Sequence, residues 1–252
     1  MKAMLLAAGR GERMRPLTDT TPKPLLRAGG KALIVWHLER LARAGFSQII
    51  INHAWLGSLV EATLAHEAPK TLGITYSPEG EALETAGGIA KALPLITTGD
   101  EPFLVINSDI WCDFDPGRAV TIAQQMSASN ALAHLVMVPN PPQHPHGDFA
   151  LMQGRVDAGA SGHINGTAAA QTRSHTTPSL TFSGIGVYRP ALFQSVTPGS
   201  KAKLAPLLRA AMRTGQVSGE LHSGVWEDIG TPERLNHLDF VLRNQKVAGY
   251  PS

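Results

Sequence analysis

The sequence predicts an α/β fold in which a mixed, mostly parallel sheet is flanked by helices. Three observations lead there. Apolar runs of strand length alternate with segments of helical apolar spacing over residues 1–110, the order expected of βαβ units. The apolar runs are continuous rather than alternating in polarity, as in strands buried on both faces. The loops after Ala8, Ser77 and Ile106 hold most of the conspicuous residues, and open parallel sheets bind ligands at the carboxyl ends of their strands.

The first strand is expected over residues 2–8, ahead of a loop at 9–24 rich in Gly, Arg, Thr and Pro. Residues 32–44 carry Ile34, Val35, Leu38, Leu41 and Ala42 at helical spacing, with Gly45 as a C-terminal stop. Ile49-Ile50-Ile51 marks a second strand at 48–52, followed by a helix at 56–66 and a third strand at 73–77. A helix over 86–93 is expected to stop at Pro94, because proline lacks the N–H and crowds the preceding turn. Phe103-Leu104-Val105-Ile106 forms a fourth strand that ends at Asn107-Ser108-Asp109. The second half is less regular. It reads as a helix at 116–128, a strand at 133–138, a Pro/His-rich loop at 139–147 and a surface excursion or short hairpin at 155–178. A strand at 180–188, a helix at 204–214, a strand at 217–222 and a helix at 231–244 follow, the last opened by Thr231-Pro232-Glu233.

The composition supports a single globular domain over residues 1–252, with 43% hydrophobic and 17% charged residues. Twenty-two Lys and Arg against 20 Asp and Glu leave a net charge of +2, too little for the global field of a nucleic-acid binder. The single cysteine, Cys112, excludes an intramolecular disulfide and a multi-cysteine zinc site. The apolar start is broken at once by Gly9-Arg10-Gly11-Glu12-Arg13, and no later stretch reaches about 18 uncharged apolar residues. Neither a signal peptide nor a membrane span is expected, and the chain reads as cytoplasmic.

Two constellations carry phosphate chemistry. Gly9 and Gly11 follow the first strand, where backbone N–H groups with no Cβ in the way can close on a phosphate. Arg13 and Arg15 bring guanidinium forks to the same loop. The spacing is neither Gly-x-Gly-x-x-Gly nor a P-loop, and a solvated turn has the same local sequence. Lys23 stands between Pro22 and Pro24 on a stiff segment that restricts its ammonium. An exposed lysine in a proline turn is the plainer reading of that tripeptide.

Taken together, residues 4–24, read as L-A-A-G-x-G-x-R-M-x-P-L-T followed by P-K-P, resemble the signature of the sugar-1-phosphate nucleotidyltransferases. The resemblance extends to Asn107-Ser108-Asp109 and to Trp226-Glu227-Asp228-Ile229-Gly230-Thr231-Pro232-Glu233-Arg234. Within that superfamily, residues 51–57, Tyr76-Ser77-Pro78-Glu79-Gly80-Glu81 and Leu83-Glu84-Thr85 look most like the bacterial N-acetylmuramate-1-phosphate uridylyltransferases of cell-wall recycling.

The resemblance implies a Rossmann-like nucleotide-diphospho-sugar transferase fold, with a nucleotide-binding half at 1–110 and a sugar-binding half at 111–252. It implies that a sugar-1-phosphate oxygen attacks the α-phosphorus of UTP and that pyrophosphate leaves. Such transfer needs positioning and charge neutralisation more than acid–base chemistry. Arg13 would hold the triphosphate and Lys23 the α-phosphate or the incoming sugar phosphate. Ala8, Gly9, Gly11 and Glu12 would cradle the nucleotide. Asp109 and Asp228 would hold Mg2+, which favours one or two carboxylates plus phosphate oxygens and water. Glu79 would reach the base, as a carboxylate accepts the N–H of uracil or guanine but not the acceptor nitrogen of adenine or cytosine. Thr85 and Gly88 open the next helix beside it, and Glu84 stands where the family usually has glycine. Asn107, Asp148 and Gly184 would meet the sugar.

Other readings stay open. A mannose-1-phosphate guanylyltransferase also suits Glu79. Asp113-Phe114-Asp115 offers the D-x-D pattern of a nucleotide-sugar glycosyltransferase, although that leaves the Gly9–Arg13 loop and Lys23 without a role. A nucleotide-sensing module without turnover would not need candidates for every catalytic role. His144 and His146 read as solvated, and His53 and Trp55 as sugar-facing or packing residues. The partners expected are small molecules alone, with the chain a monomer or homodimer.

Overall fold

The computed structural model describes residues 1–159 and 178–244. Its thirteen strands and six helices run β1 Ala3–Leu6, β2 Arg27–Ala28, β3 Lys31–Ala32, α1 Leu33–Arg43, β4 Gln48–His53, α2 Gly57–Glu67, β5 Gly73–Pro78, α3 Glu84–Ile96, β6 Phe103–Asn107, β7 Ile110–Cys112, α4 Arg118–Ser127, β8 Ala133–Val138, β9 Phe149–Met152, β10 Arg155–Asp157, β11 Ser179–Tyr188, α5 Leu204–Arg213, β12 Val217–Leu221, β13 Trp226–Asp228 and α6 Pro232–Asn244. Nine strands form one sheet in the order β5-β4-β1-β6-β11-β8-β12-β10-β9, and β9 also pairs with the start of β11. The pairs β5–β4, β4–β1, β1–β6 and β8–β12 are parallel, while β11 and β10 run against their neighbours.

The continuous apolar runs are explained by this sheet. Successive residues of a strand point to opposite faces, and here both faces are covered. Leu5, Ile49, Ile51, Leu104 and Ile106 meet Leu38, Leu41, Val60, Leu64 and Ile122 of α1, α2 and α4. Met4, Ile50 and Val105 meet Ile89, Ala92, Ile96, Leu208 and Met212 of α3 and α5 on the other face. A third cluster seats α6 through Leu235 and Leu238 against Met14, Leu33, Trp111 and Ile229. Burying one such large aliphatic side chain contributes about 1.5–3 kcal/mol.

Two expectations are corrected, and one element joins those expected. The helix expected to stop at Pro94 continues to Ile96, with Pro94 inside it. The lost N–H falls in the last turn, where Thr97 N–H closes on Leu93 O at 3.0 Å and Ile96 is buried. Residues 155–157, expected in a surface excursion or short hairpin, form β10, which runs antiparallel to β9 and lies between β9 and β12 in the main sheet. The remainder of that excursion, residues 160–177, lies outside the described residues. The ribbon of β7 and β13, three residues each, was not expected at all; it pairs Ile110 with Asp228 and Cys112 with Trp226.

Candidate active site

The carboxyl ends of β1, β4, β5 and β6 lie side by side, and a cleft of about 420 Å3 opens over them. Ala8 and Gly9 after β1, Asn52 on β4, Glu79 after β5 and Asn107 and Asp109 at and after β6 line it, together with Lys23, Glu84, Thr85 and Lys201. A second cleft, of about 310 Å3, is lined by Arg13, Gln143, His144, Thr181, Phe182, Gly184, Trp226 and Asp228 among others. The two clefts share Asn107 and Asp109.

The first cleft is held by a buried hydrogen-bond chain. Ala7 N–H donates to Asn52 Oδ1 at 2.9 Å, and Asn52 Nδ2 donates to Glu79 Oε1 at 2.6 Å. Glu79 Oε2 accepts from Leu83 N–H at 2.8 Å. Both Glu79 oxygens therefore hold protein groups, tying the loop after β5 to the loop after β1. Gly88 is required beneath this chain, since a Cβ there would lie 2.4 Å from Glu79 Oε1. Glu84, where glycine was expected from the resemblance, adopts φ 61°, the left-handed region that glycine enters without steric cost.

Four cations in the loop at 9–24 sort into two pairs. Arg13 lines the second cleft and Lys23 the first. Arg10 instead stacks 3.9 Å over the Trp55 ring and donates to Thr18 O at 2.6 Å, and Arg15 pairs with Asp19 at 3.3 Å. Trp55 also donates to Thr18 O, so this tryptophan packs the loop. His53 meets Glu61 Oε1 at 2.7 Å. Gly11 lies against Thr18 and the stem of Lys23, and Glu12 sits exposed in a 3-10 turn outside both clefts.

Asp109 and Asp228 lie on neighbouring segments: Ile229 N–H donates to Asp109 O at 3.0 Å, and Asp228 pairs with Ile110 in the ribbon. Each carboxylate holds a cation, Lys23 Nζ on Asp109 at 2.6 Å and Arg234 Nη1 on Asp228 at 2.7 Å. Side-chain exposures of 37% and 26% leave both within reach of a ligand in the second cleft. Two hard oxygen donors open to a phosphate-sized cleft fit Mg2+. His37 fixes this region from beneath, its Nε2–H donating to Ile110 O at 2.9 Å; burial pushes its imidazole down to about 4, so it is neutral. Beside Asp228, burial raises the Glu227 carboxyl above its usual range.

On the wall of the second cleft, Gly184 has φ 84°, and a Cβ there would lie 2.8 Å from Asn107 Nδ2. Trp226 Nε1 donates to Ser183 O at 2.8 Å, tying the ribbon to β11. Asp148 is not among the lining residues. Its Oδ2 accepts from Phe182 N–H at 2.8 Å and its Oδ1 stands 3.2 Å from His144 Nε2, so it supports two residues that do line the cleft. The carboxylates of the D-x-D pattern lie outside both clefts: Asp113 meets His222, and Asp115 accepts from Gly117 N–H. The sequence reading passed over Asn52, Gln143 and Lys201. Asn52 carried a signal, a polar residue ending an isoleucine run at a strand's carboxyl end; the others carried none.

A family model for nucleotidyl transferases matches residues 2–162. The chain is 52% identical over 236 residues to an N-acetylmuramate alpha-1-phosphate uridylyltransferase of Neisseria meningitidis, covering 93% of this chain and 95% of that protein. It is 30% identical over 239 residues to a mannose-1-phosphate guanylyltransferase catalytic subunit beta of Danio rerio, covering 92% of this chain and 62% of the relative. The structure of the inositol-1-phosphate CTP transferase from T. maritima covers 98% of each chain with a TM-score of 0.68 at 17% identity. That likeness shows a shared fold, the nucleotide-diphospho-sugar transferase fold.

Proposed function

The chain belongs to the nucleotidyl transferase family, and from that premise we propose that it transfers the uridylyl group of UTP to N-acetylmuramate-1-phosphate, with Mg2+, in cytoplasmic cell-wall recycling. The observation that carries this reading is the meeting of two clefts at Asn107 and Asp109. One cleft takes the nucleotide and the other the sugar phosphate, so the two reacting groups come together at their shared wall. An oxygen of the sugar phosphate forms a bond to the α-phosphorus as the bond to the β-phosphate bridging oxygen breaks, and pyrophosphate departs. The attacking oxygen is already anionic, so no general base is needed. Holding both reactants in line can supply about 7–11 kcal/mol of the barrier reduction.

The chain's own groups supply the rest. The backbone at Ala8 and Gly9 receives the phosphates. Lys23, released from Asp109 as substrate arrives, neutralises charge at the α-phosphate. The Arg13 fork serves the phosphates from the second cleft. Asp109 and Asp228 hold Mg2+, which when bound neutralises phosphate charge. Glu79 acts on the base by holding the loop at 79–85, leaving only further lone pairs of its oxygens for the N–H of uracil. Asn107 and the backbone at Gly184 face the sugar, with Asp148 behind them.

Pyrophosphate release with Mg2+, each of the four common nucleoside triphosphates and a panel of sugar-1-phosphates tests the reading. UTP with N-acetylmuramate-1-phosphate should be fastest. GTP with mannose-1-phosphate as the fastest pair would replace the substrate assignment, and no release with any pair would sink the activity.

A further inference from the structure

A second group of metal-ligating atoms lies apart from the two clefts. Cys112 ends β7, Asp113 follows it, and His222 stands just beyond β12. Cys112 Sγ, a carboxylate oxygen of Asp113 and a ring nitrogen of His222 all lie within 4.8 Å of one another. The three are held in place independently of any ligand. His222 Nε2 is 2.6 Å from Asp113 Oδ1, and the edge of its ring meets Phe114. Asp113 N–H donates to Val225 O, and Phe114 N–H donates to Cys112 Sγ at 3.4 Å. Gly224 closes the group. A Cβ there would lie 2.3 Å from Asp113 Oδ1 and 2.7 Å from His222 Cε1, so the position admits no side chain while the cluster stands.

The donors are one sulfur, one nitrogen and one oxygen. That set suits a borderline-soft ion such as Zn2+ and not Mg2+, which takes oxygen. Cys112 is buried, while Asp113 and His222 are partly exposed and give an approach from solvent. Burial pushes the Cys112 thiol up to about 12, so without a metal it stays protonated. Arg40, close to both Cys112 and Asp113, favours the thiolate once it forms.

We propose that Cys112, Asp113 and His222 bind one Zn2+ that staples β7 to the turn between β12 and β13. Binding forms Zn–S, Zn–N and Zn–O bonds, sends the thiol proton to solvent, opens the Asp113–His222 hydrogen bond and leaves a fourth position for water. The ion fastens one end of the ribbon whose other end carries Asp228.

The test adds Co2+ and then Zn2+ to the full chain. The chain has a single cysteine, so a thiolate-to-cobalt charge-transfer band reports Cys112 alone, and cobalt on the Asp109 and Asp228 oxygens gives none. The expected result is that band at one equivalent, its loss on adding one equivalent of Zn2+, and a higher melting temperature with Zn2+. His222→Ala should weaken Zn2+ binding by about tenfold or more. No charge-transfer band overturns the proposal, and so does a His222→Ala protein that binds Zn2+ as tightly as the parent.

Discussion

The two clefts are built in opposite ways. The first rests on the ends of four adjacent parallel strands, and its central polar groups satisfy one another in one buried chain from Ala7 through Asn52 and Glu79 to Leu83. The second is assembled from segments at residues 13, 107–110, 141–144, 181–184 and 226–228. Beside it, Arg234 meets Asp228 and His144 meets Asp148 in partly exposed contacts, while Lys23, itself buried, meets Asp109 where the two clefts join. A buried, satisfied chain fixes geometry before substrate arrives, since breaking it leaves polar groups without partners. Partly exposed contacts cost little to open, whereas the buried Lys23 must gain a new partner as it leaves Asp109. The molecule thus presents one preformed wall and one that is completed by what it binds.

The largest effect should come from the residue that both clefts share. Asp109→Asn should lower kcat by about 1000-fold or more, a loss on the scale of removing one preorganised electrostatic group, with the melting temperature little changed. Activity near that of the parent would remove Asp109 from the reaction. Lys23→Ala should lower kcat by about 100-fold while leaving UTP affinity nearly intact. A fall in affinity with unchanged kcat would instead make Lys23 an anchor for the nucleotide.

The contrast between the walls is itself measurable in urea unfolding. Glu79→Ala strands Asn52 Nδ2 and Leu83 N–H in a buried setting and should cost about 2–3 kcal/mol. Asp148→Ala, at a partly exposed carboxylate, should cost about 1 kcal/mol. Equal losses would erase the difference between the two walls.

The smallest effect concerns pH. The unfolded chain takes up a proton at His37 near 6.5, whereas the folded imidazole does so only at about 4. Its neutral form therefore supports folding above 6.5, and that support is lost as pH falls from 6.5 towards 4. About 1 kcal/mol should disappear between pH 6 and 5. His37→Leu should flatten that part of the stability profile relative to the parent. An unchanged slope would show that His37 does not titrate there.

How far the sequence could be read follows the same division. Continuous apolar runs located β1, β4 and β6, because both their faces are covered and nearly every residue is buried. The residues at or just after the ends of β1, β5 and β6, namely Ala8, Gly9, Glu79, Asn107 and Asp109, line the first cleft. The ribbon of β7 and β13 escaped notice because three-residue strands carry no period. Pro94 misled because local propensity yields to the burial of Ile96.

What the sequence determined by itself was the βαβ order of the first half and, by resemblance, the family and its signature residues, since each depends on neighbours close along the chain. The tertiary structure alone decided how these residues divide. It put Arg13 and Lys23 in the clefts while setting Arg10 on Trp55. It turned Asp148 from a lining residue into a support, and it brought Asp228 beside Asp109 across 119 positions of sequence. A side chain's direction and partners depend on strand register and on segments far away in the chain, and no local pattern encodes them.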